Sequence, residues 1–179
     1  MTEHSFVLVP FPNPDPPKIK ITGRIARKKN TLSVQYLLSG KMDNILLPEP
    51  VTHPGRKNDL WLTTCFEYFL SLPEQPQYWE FNLSPSGEWN IFCMDAYRRV
   101  GFRQEDRIRN LNLEISKHAG CVRMDAVVDL DPLFESEMQI QAGITGVIQT
   151  REGSQSYWAL THPGPQADFH MRESFIIYL

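Results

Sequence analysis

The chain has 179 residues, of which 41% are hydrophobic and 22% charged, with 18 Lys and Arg against 21 Asp and Glu. A chain of this size and composition predicts one globular domain that buries its own core without a metal or disulfide. Fourteen prolines and ten glycines interrupt the apolar runs, which argues against a coiled coil, a helical bundle and a membrane-spanning helix. A net charge of -3 creates no field that attracts nucleic acid or anionic lipid, so we expect neither as a partner.

The three cysteines, Cys65, Cys93 and Cys121, are odd in number and include no Cys-x-x-Cys pair. This pattern argues against a disulfide framework and against a thiolate zinc site, and it favours reduced, buried thiols. The amino terminus carries the acidic Glu3 where a signal peptide carries basic residues, and its apolar run is short. We therefore expect a cytoplasmic protein.

The first elements in chain order are an extended segment and a hairpin. Residues 1–17 contain five prolines and predict an extended N-terminal arm, which leads into a single domain over residues 18–179. Apolar and polar residues alternate at 19–25 and again at 32–38. The turn residues Lys28-Lys29-Asn30 separate these two stretches, so they predict a β-hairpin with one buried face.

A long connection and a meander follow. Residues 41–60 are rich in proline and polar residues and predict a loop that could shape the rim of a site. Alternation resumes at 64–70, at 78–84 and at 89–94, and short turn sequences separate these stretches. Such short connections predict three consecutive antiparallel strands.

The remaining chain predicts further strands and almost no helix. Residues 95–110 are rich in arginine without a clear period and predict a loop or short helix across one end of the sheet, and residues 129–134 predict one helical turn. Additional strands are predicted at 111–116, 121–128, 138–150, 156–160 and 174–178. This pattern predicts an all-β fold, a two-layer antiparallel β-sandwich of the jelly-roll type.

Several motifs that indicate a particular enzymatic mechanism or a calcium site are absent from the sequence. It contains no glycine-rich phosphate loop, no His-Glu-x-x-His, no Gly-x-Ser-x-Gly and no calcium-binding loop. These absences argue against nucleotide hydrolysis, zinc proteolysis and hydrolase-fold chemistry. A catalytic pair assembled only in space stays open, because such pairs are recognised by geometry.

One predicted strand carries a polar face of unusual character. Alternation over 78–84 places aromatic and aliphatic side chains on one face and Glu80 and Asn82 on the other. If Glu67 on the preceding strand points the same way, it lies beside Glu80 or Asn82 across the ladder. Carboxylates and amides next to an aromatic plane suit the recognition of sugar hydroxyls. The alternative is an outward polar face with ordinary cross-strand pairs.

The segment 157–170 concentrates Trp158, His162, Asp168 and His170. Histidine and aspartate can ligate a metal, but their spacing matches no standard ligand pattern, so we expect no metal here. A haem would need an axial pair such as histidine with methionine. Met171 directly follows His170, and adjacent residues of an extended chain point to opposite faces. These two side chains could therefore not readily serve as the two axial ligands of one haem iron.

Long blocks of the sequence resemble the bacterial DOMON-like domain proteins. The blocks are Leu60 to Phe69, Tyr78 to Asn90, the pair Tyr97-Arg98, and Tyr157 to Pro163 followed by Asp168 to His170. A Glu-containing strand, a proline-rich loop and an aromatic strand ending in Asn-x-Ser-Pro-x-Gly are also similar to family 9 carbohydrate-binding modules. The resemblance implies a jelly-roll β-sandwich from a superfamily that binds either sugars or haem b.

For the binding site, the resemblance implies aromatic residues with polar partners at the surface of the sandwich. The haem-binding relatives use an axial methionine with a histidine or lysine, and no motif in this chain identifies that methionine. Together, the resemblance and the polar patches above give the following candidate ligand-binding residues: Trp61, Glu67, Glu80, Asn82, Trp89, Arg98, Trp158, His162, Asp168 and His170.

We therefore predict a non-catalytic domain that binds a small polar ligand, foremost a carbohydrate, between the Trp61 to Glu80 sheet and the loop from Trp158 to His170. Arg56 or Arg98 would add positive charge for an anionic sugar or sugar phosphate. The first alternative is a haem b or electron-transfer domain. Others are an enzyme whose histidines and aspartate work with Glu67 or Glu80 as acid and base, an interaction module, and a dimer through an exposed sheet edge.

Overall fold

The computed structural model describes residues 1–98 and 101–179, which contain twelve β-strands and two short 3-10 helices, at Leu60–Leu62 and Arg172–Ser174. Adjacent strands pair in antiparallel fashion throughout. The strands are β1 (Thr2–Pro10), β2 (Ile19–Lys28), β3 (Thr31–Gly40), β4 (Cys65–Ser71), β5 (Tyr78–Leu83), β6 (Trp89–Met94), β7 (Arg103–Gln104), β8 (Asn112–His118), β9 (Cys121–Asp129), β10 (Gln141–Gln149), β11 (Gln155–Ala159) and β12 (Ile177–Tyr178).

The strands form two layers that share strand β1. The first layer has the order β8-β9-β3-β2-β1, and the second has the order β7-β6-β5-β4-β10-β11, with β12 paired to β10. Strand β1 joins them because its first part pairs with β2, whereas Val9 and Pro10 pair with β11. The predicted all-β, antiparallel two-layer fold is therefore confirmed.

The main core lies between the two layers. Alternate residues of both layers point inward and are buried, as period-two strands with one covered face require. Tyr36 of β3 crosses this core: its ring packs against Phe66 of β4 at 4.9 Å, and its hydroxyl donates to the Glu67 carbonyl oxygen at 2.7 Å. That hydrogen bond satisfies a buried phenol and fixes β4 against the first layer.

The start of the chain belongs to the sheet. Residues 1–17 were expected as an extended arm leading into the domain, but Thr2–Pro10 forms β1, with Phe6 and Leu8 buried in the core. Two buried apolar side chains at alternate positions stabilise this pairing, and the proline-rich stretch begins only where the strand ends. Within residues 1–17, only Met1 and residues 11–17 therefore lie outside a strand.

The hairpin and the meander have the predicted pairing. Strands β2 and β3 pair around a turn in which Lys29 has a φ of 55°. Strands β4, β5 and β6 are consecutive neighbours in the second layer. At the predicted helical turn, the amides of Leu133 and Phe134 donate to the Leu130 carbonyl at 2.8 Å and 2.9 Å, and Asp129 accepts from the Asp131 amide at 3.0 Å.

The arginine-rich stretch 95–110 contains the short strand β7 against the edge of β6. Its described residues include no helix, and Arg99 and Val100 lie outside the described residues. Three of its arginines form ion pairs: Arg98 with Asp168, Arg103 with Asp95, and Arg107 with Glu105. These ion pairs balance part of the positive charge of the stretch, and all three arginine side chains stay about half exposed.

The outer face of the second layer is also covered. A second apolar cluster lies there and includes Phe69, Tyr78, Phe92, Phe169 and Phe175. Its cover comes from the Leu60–Leu62 turn and from residues 167–175, so β4, β5 and β6 are buried on both faces. No helix in the described part of the chain is long and apolar enough to cross a membrane.

Candidate functional site

A row of buried polar side chains crosses the outer face of the second layer. The strand register aligns Asn90, Asn82, Glu67 and Thr145 on four neighbouring strands, β6, β5, β4 and β10. Each of these residues is buried. Buried polar groups cost free energy unless they are hydrogen-bonded, so such a row marks this face as a candidate site.

A cavity of about 670 Å³ opens over this row, and Glu67 and Glu80 line it. Glu80 lies on β5, diagonally across the ladder from Glu67. Alternation along β5 predicts that Glu67 lies beside Glu80 or Asn82, and the register places it directly opposite Asn82. Other lining residues come from the Leu60–Leu62 turn, β6, β10, β11 and residues 167–170.

The side walls of the cavity are aromatic. Trp61 meets Phe92 edge-on, with ring centres 5.6 Å apart, and Phe102 stacks on the same Phe92 at 4.8 Å. On the opposite side, Tyr157 of β11 meets Phe169 edge-on at 6.0 Å. The cavity thus combines carboxyl groups with several aromatic rings, as ligand pockets with a few placed polar groups commonly do.

A chain of hydrogen-bonding groups holds Glu80 and His170 at the cavity. The Asn82 amide donates to Glu80 Oε1 at 2.8 Å, and His170 Nε2 lies 4.0 Å from Glu80 Oε2. His170 Nδ1 lies 2.9 Å from the Tyr78 hydroxyl, which also accepts from the Arg98 amide at 3.2 Å. Burial raises the pKa of Tyr78 to about 12, so the phenol keeps its proton at neutral pH.

Glu67 is the most deeply placed acid of the cavity. Its side chain accepts from the Thr145 hydroxyl at 3.4 Å, and 3% of the residue is exposed. Burial and the nearby charge of Glu80 raise the pKa of Glu67 well above its usual range. Two acids this close do not readily carry two negative charges, so Glu67 holds its proton to a higher pH than an ordinary glutamate.

Asp168 anchors the loop that closes one side of the cavity. Its Oδ2 accepts from Arg98 Nε at 3.1 Å and from the Tyr97 hydroxyl, and its Oδ1 accepts from the His170 amide at 3.0 Å. Burial alone would raise the pKa of Asp168, but these hydrogen bonds and the Arg98 charge lower it. An ionised Asp168 thus ties residues 97 and 98 to the C-terminal segment.

The structure brings together six of the predicted site residues. The cavity is lined by Trp61, Glu67, Glu80, Arg98, Asp168 and His170. Asn82 lies beneath it and supports Glu80. Glu67, Glu80, Asp168 and His170 therefore surround one cleft, as the acid–base alternative requires.

The other three predicted residues lie elsewhere. Trp158 points into the core between the layers, where its indole donates to Ser156 Oγ at 2.9 Å. Trp89 is also buried in that core, with Arg56 stacked over its ring at 4.5 Å. His162 is held outside the cavity, with Nε2 3.0 Å from the Val9 carbonyl oxygen. Alternation along β11 explains the position of Trp158. Tyr157, the residue before it, points to the opposite face of the sheet and lines the cavity.

That neighbour, Tyr157, belongs to a set of wall residues that the sequence analysis missed. Phe92 and Val147 also line the cavity from β6 and β10. The signal for them was available, because alternation from the core residues Ile91 and Ile148 assigns both to the opposite face. Phe102 and Phe169 lie outside regular strands, where sequence periodicity gives no indication of direction.

The described residues offer no suitable set of ligands for a metal ion or for haem. His162 lies apart from Asp168 and His170, and no group of three His, Cys, Asp or Glu residues in residues 1–98 and 101–179 could hold a metal ion. For haem, His170 is available at the cavity, but no methionine is among the described lining residues. The residues present therefore do not fit the histidine–methionine axial pair of haem-binding relatives.

Comparison with known proteins gives a likeness in fold. No family model matches the sequence, and no curated protein matches it. Among solved structures, the chain is similar to a "putative carbohydrate-binding protein" from Bacteroides uniformis, with a TM-score of 0.72 over 96% of this chain and 83% of that chain. The two are 14% identical in sequence, so the likeness shows a shared fold.

Proposed function

We propose that this domain binds a carbohydrate in the cavity over Glu67 and Glu80. The observation that carries the proposal is the buried polar row beneath a cleft with aromatic walls. A sugar ring presents hydroxyl groups around its edge and an apolar C–H face, so it needs both kinds of partner. This cleft supplies both at a volume of about 670 Å³, within the usual range for small-ligand pockets.

The polar groups can act as both acceptors and donors towards hydroxyls. Glu80 accepts hydrogen bonds, and Glu67 in its protonated form donates one. His170 adds a ring nitrogen, and the Tyr78 hydroxyl fixes the orientation of its imidazole ring. Such preorganised groups favour binding because little side-chain entropy is lost on complex formation.

The aromatic groups suit the apolar face of a sugar. Trp61 and Tyr157 approach the cavity from different elements, the Leu60–Leu62 turn and β11. Tyr157 is 38% exposed and Trp61 is partly buried, so both retain surface for a ligand. Covering this surface would contribute a hydrophobic term that depends on the area removed from water.

The two arginines that would bind a phosphate group on the sugar, Arg56 and Arg98, already have other partners. Arg98 pairs with Asp168 at 3.0 Å, and Arg56 donates to Asn90 Oδ1 at 2.7 Å and to two carbonyl groups. Both guanidinium groups thus already have acceptors, and rearranging them would cost the existing hydrogen bonds. We therefore favour a sugar without a phosphate.

The likeness to the Bacteroides protein supports the proposal through its name, while its 14% identity carries no residue of the site across. The resemblance of the sequence blocks to DOMON-like domains and to family 9 carbohydrate-binding modules points in the same direction. We also propose that this domain is related to these two families and that it binds its ligand without catalysing a reaction.

Binding is tested by titrating the protein with a panel of monosaccharides and disaccharides to millimolar concentration, with tryptophan fluorescence and calorimetry as readouts. We expect at least one sugar to shift the emission, because Trp61 lines the cavity. Trp61→Phe should abolish the shift, because it removes the indole that reports it, and should weaken binding about threefold, because a phenyl ring offers a smaller stacking surface.

The matched control is Trp158→Phe, because Trp158 lies in the core away from the cavity. This variant should keep both the emission shift and the affinity once thermal unfolding confirms that it is folded. Absence of binding by every sugar, or binding that Trp61→Phe leaves unchanged, would contradict the proposed function.

A further inference from the structure

A second cavity, of about 440 Å³, lies where the proline-rich segment leaves the sheet. Its lining comes from residues 13–18, 41–45 and 150–156, and we call it the proline groove. The carbohydrate cavity over Glu67 and Glu80 is a separate space with its own lining. The proposed function therefore assigns no role to the proline groove.

The groove exists because the chain stops pairing with the edge of β11. The Phe11 amide donates to the Tyr157 carbonyl oxygen at 2.7 Å. Two residues further in the same register, Asn13 would lie opposite Gln155. Pro12 and the prolines after it cannot donate to a strand ladder, so the chain turns away from β11 at this point. Asn13 and Gln155 consequently face a cavity between them.

This ending also leaves main-chain groups of β11 at the groove. The Tyr157 carbonyl points towards residues 11–17, as its bond to the Phe11 amide shows. Residues two apart in a strand direct their main-chain N–H and C=O to the same edge. The N–H and C=O of Gln155 therefore point to the groove, where they offer a donor and an acceptor to a ligand.

Gln155 connects the proline groove with the carbohydrate cavity, because it lines both. Its side-chain amide donates to the Leu62 carbonyl oxygen at 2.9 Å and accepts from the Tyr157 hydroxyl at 3.2 Å. These two hydrogen bonds hold the side chain in place. Gln155 is thus a fixed ridge between two cavities that adjoin.

The groove supplies both kinds of partner that a sugar needs. Most of its lining residues have hydrogen-bonding side chains, and Lys18, Asn44 and Ser154 among them are exposed. Pro16 and Pro17 add apolar rings to the wall. Because proline restricts the backbone, this wall loses little conformational entropy when a ligand binds.

We propose that the proline groove is a second subsite for the same ligand, and that this ligand is an oligosaccharide whose chain crosses Gln155. This inference rests on the proposed function, since it places one end of the chain in the carbohydrate cavity. A monosaccharide occupies that cavity alone, whereas a longer chain engages both. The second contact is then intramolecular, so the longer chain binds more tightly.

The test measures affinity against chain length by calorimetry, with cello-, malto- and xylo-oligosaccharides of one to six units as probes. We expect the hexasaccharide of at least one series to bind about tenfold tighter than its monosaccharide, as one or two net hydrogen bonds in the groove allow. The affinity should stop rising once the chain fills the groove.

The variant that tests the subsite combines Lys18→Ala with Asn44→Ala, which removes two exposed polar side chains from the groove. It should reduce the gain from monosaccharide to hexasaccharide to about threefold or less and leave monosaccharide affinity unchanged. The matched control combines Lys20→Ala with Asn110→Ala, at exposed positions outside the described lining of both cavities. The control should keep the full gain.

The outcomes separate this inference from the proposed function. Equal affinity at every chain length, or a gain that survives Lys18→Ala with Asn44→Ala, overturns the subsite and leaves carbohydrate binding in the cavity intact. Failure of every probe overturns both. If the groove variant abolishes all binding while Trp61→Phe changes none, the groove binds sugar alone and the proposed function is wrong.

Hydrogen exchange on the unmodified protein decides if the groove variant does not fold. The hexasaccharide should slow exchange of the amides in residues 150–156, because it covers the Gln155 edge of β11, and the monosaccharide should leave them unchanged. The same exchange with both ligands overturns the subsite.

Discussion

At the scale of single residues, the electrostatics of this protein follow from which acids have cationic partners. Glu105 accepts from Arg107 at three nitrogens and from the Trp79 indole at 2.9 Å. Burial alone would raise the pKa of Glu105, but these hydrogen bonds lower it to about 2. The pKa of Glu67 shifts upward instead, because burial and the nearby charge of Glu80 outweigh the hydrogen bond from the Thr145 hydroxyl.

The low pKa of Glu105 predicts a loss of stability in acid. Because the folded-state pKa is about 2 against 4.5 in the unfolded chain, this contribution is complete above pH 4.5 and disappears as the pH falls towards 2. Glu105→Gln should lower the free energy of unfolding at pH 7 by about 2 kcal/mol and flatten its dependence on pH over that interval. Urea unfolding at several pH values measures both.

The control for this prediction is Asp106→Asn, an exposed neighbour that accepts one hydrogen bond from Gln104. It should change stability by less than about 0.5 kcal/mol. An unchanged acid limb in Glu105→Gln would show that other carboxylates dominate the acid sensitivity of the fold.

At the scale of elements, the cavity depends on a cover that packs tightly against strand β10. Phe175 follows the 3-10 turn Arg172–Ser174 and lies directly over Gly143. A methyl group at position 143 would meet the Phe175 ring at 2.7 Å, closer than van der Waals contact permits. Gly143 is therefore needed for close approach of the cover, whereas Gly146 on the same strand has ordinary space around it, with the nearest atom at 3.5 Å.

Gly143→Ala should consequently displace Phe175 and loosen residues 167–175. We expect a loss of about 1 to 3 kcal/mol in the free energy of unfolding, as overpacking usually causes, and weaker sugar binding because His170 lies in the same segment. Gly146→Ala is the matched control and should stay within about 0.5 kcal/mol of the unmodified protein. Hydrogen exchange of residues 167–175 reports on the loosening directly, and equal exchange in both variants would contradict it.

At the scale of the whole molecule, strand β1 holds the two layers together. It pairs with β2 in the first layer and with β11 in the second, and it contributes Phe6 and Leu8 to the core. The start of the chain is therefore part of the cooperative fold, which the proline content of residues 1–17 does not indicate.

Phe6→Ala should destabilise the protein by about 3 to 5 kcal/mol, because it removes a buried ring that also contacts Tyr36 at 5.4 Å. Val7→Ala, one residue along on the exposed face, should cost less than about 0.5 kcal/mol. Both values follow from thermal or urea unfolding. A small effect of Phe6→Ala would mean that β1 is peripheral to stability.

The sequence predicts most of the strands after β1, the hairpin, the meander and the polar face of β5, because alternation of apolar and polar residues depends only on local backbone geometry. The same alternation left Glu67 beside either Glu80 or Asn82, and the register of β4 and β5 places it opposite Asn82. The cover that turns this polar face into a cavity is visible only in the folded chain, because it comes from residues 58–62 and 167–175, which are distant in sequence from β5. The fold also places Trp158 in the core and Tyr157 at the cavity, because neighbouring side chains of a strand point to opposite faces of the sheet.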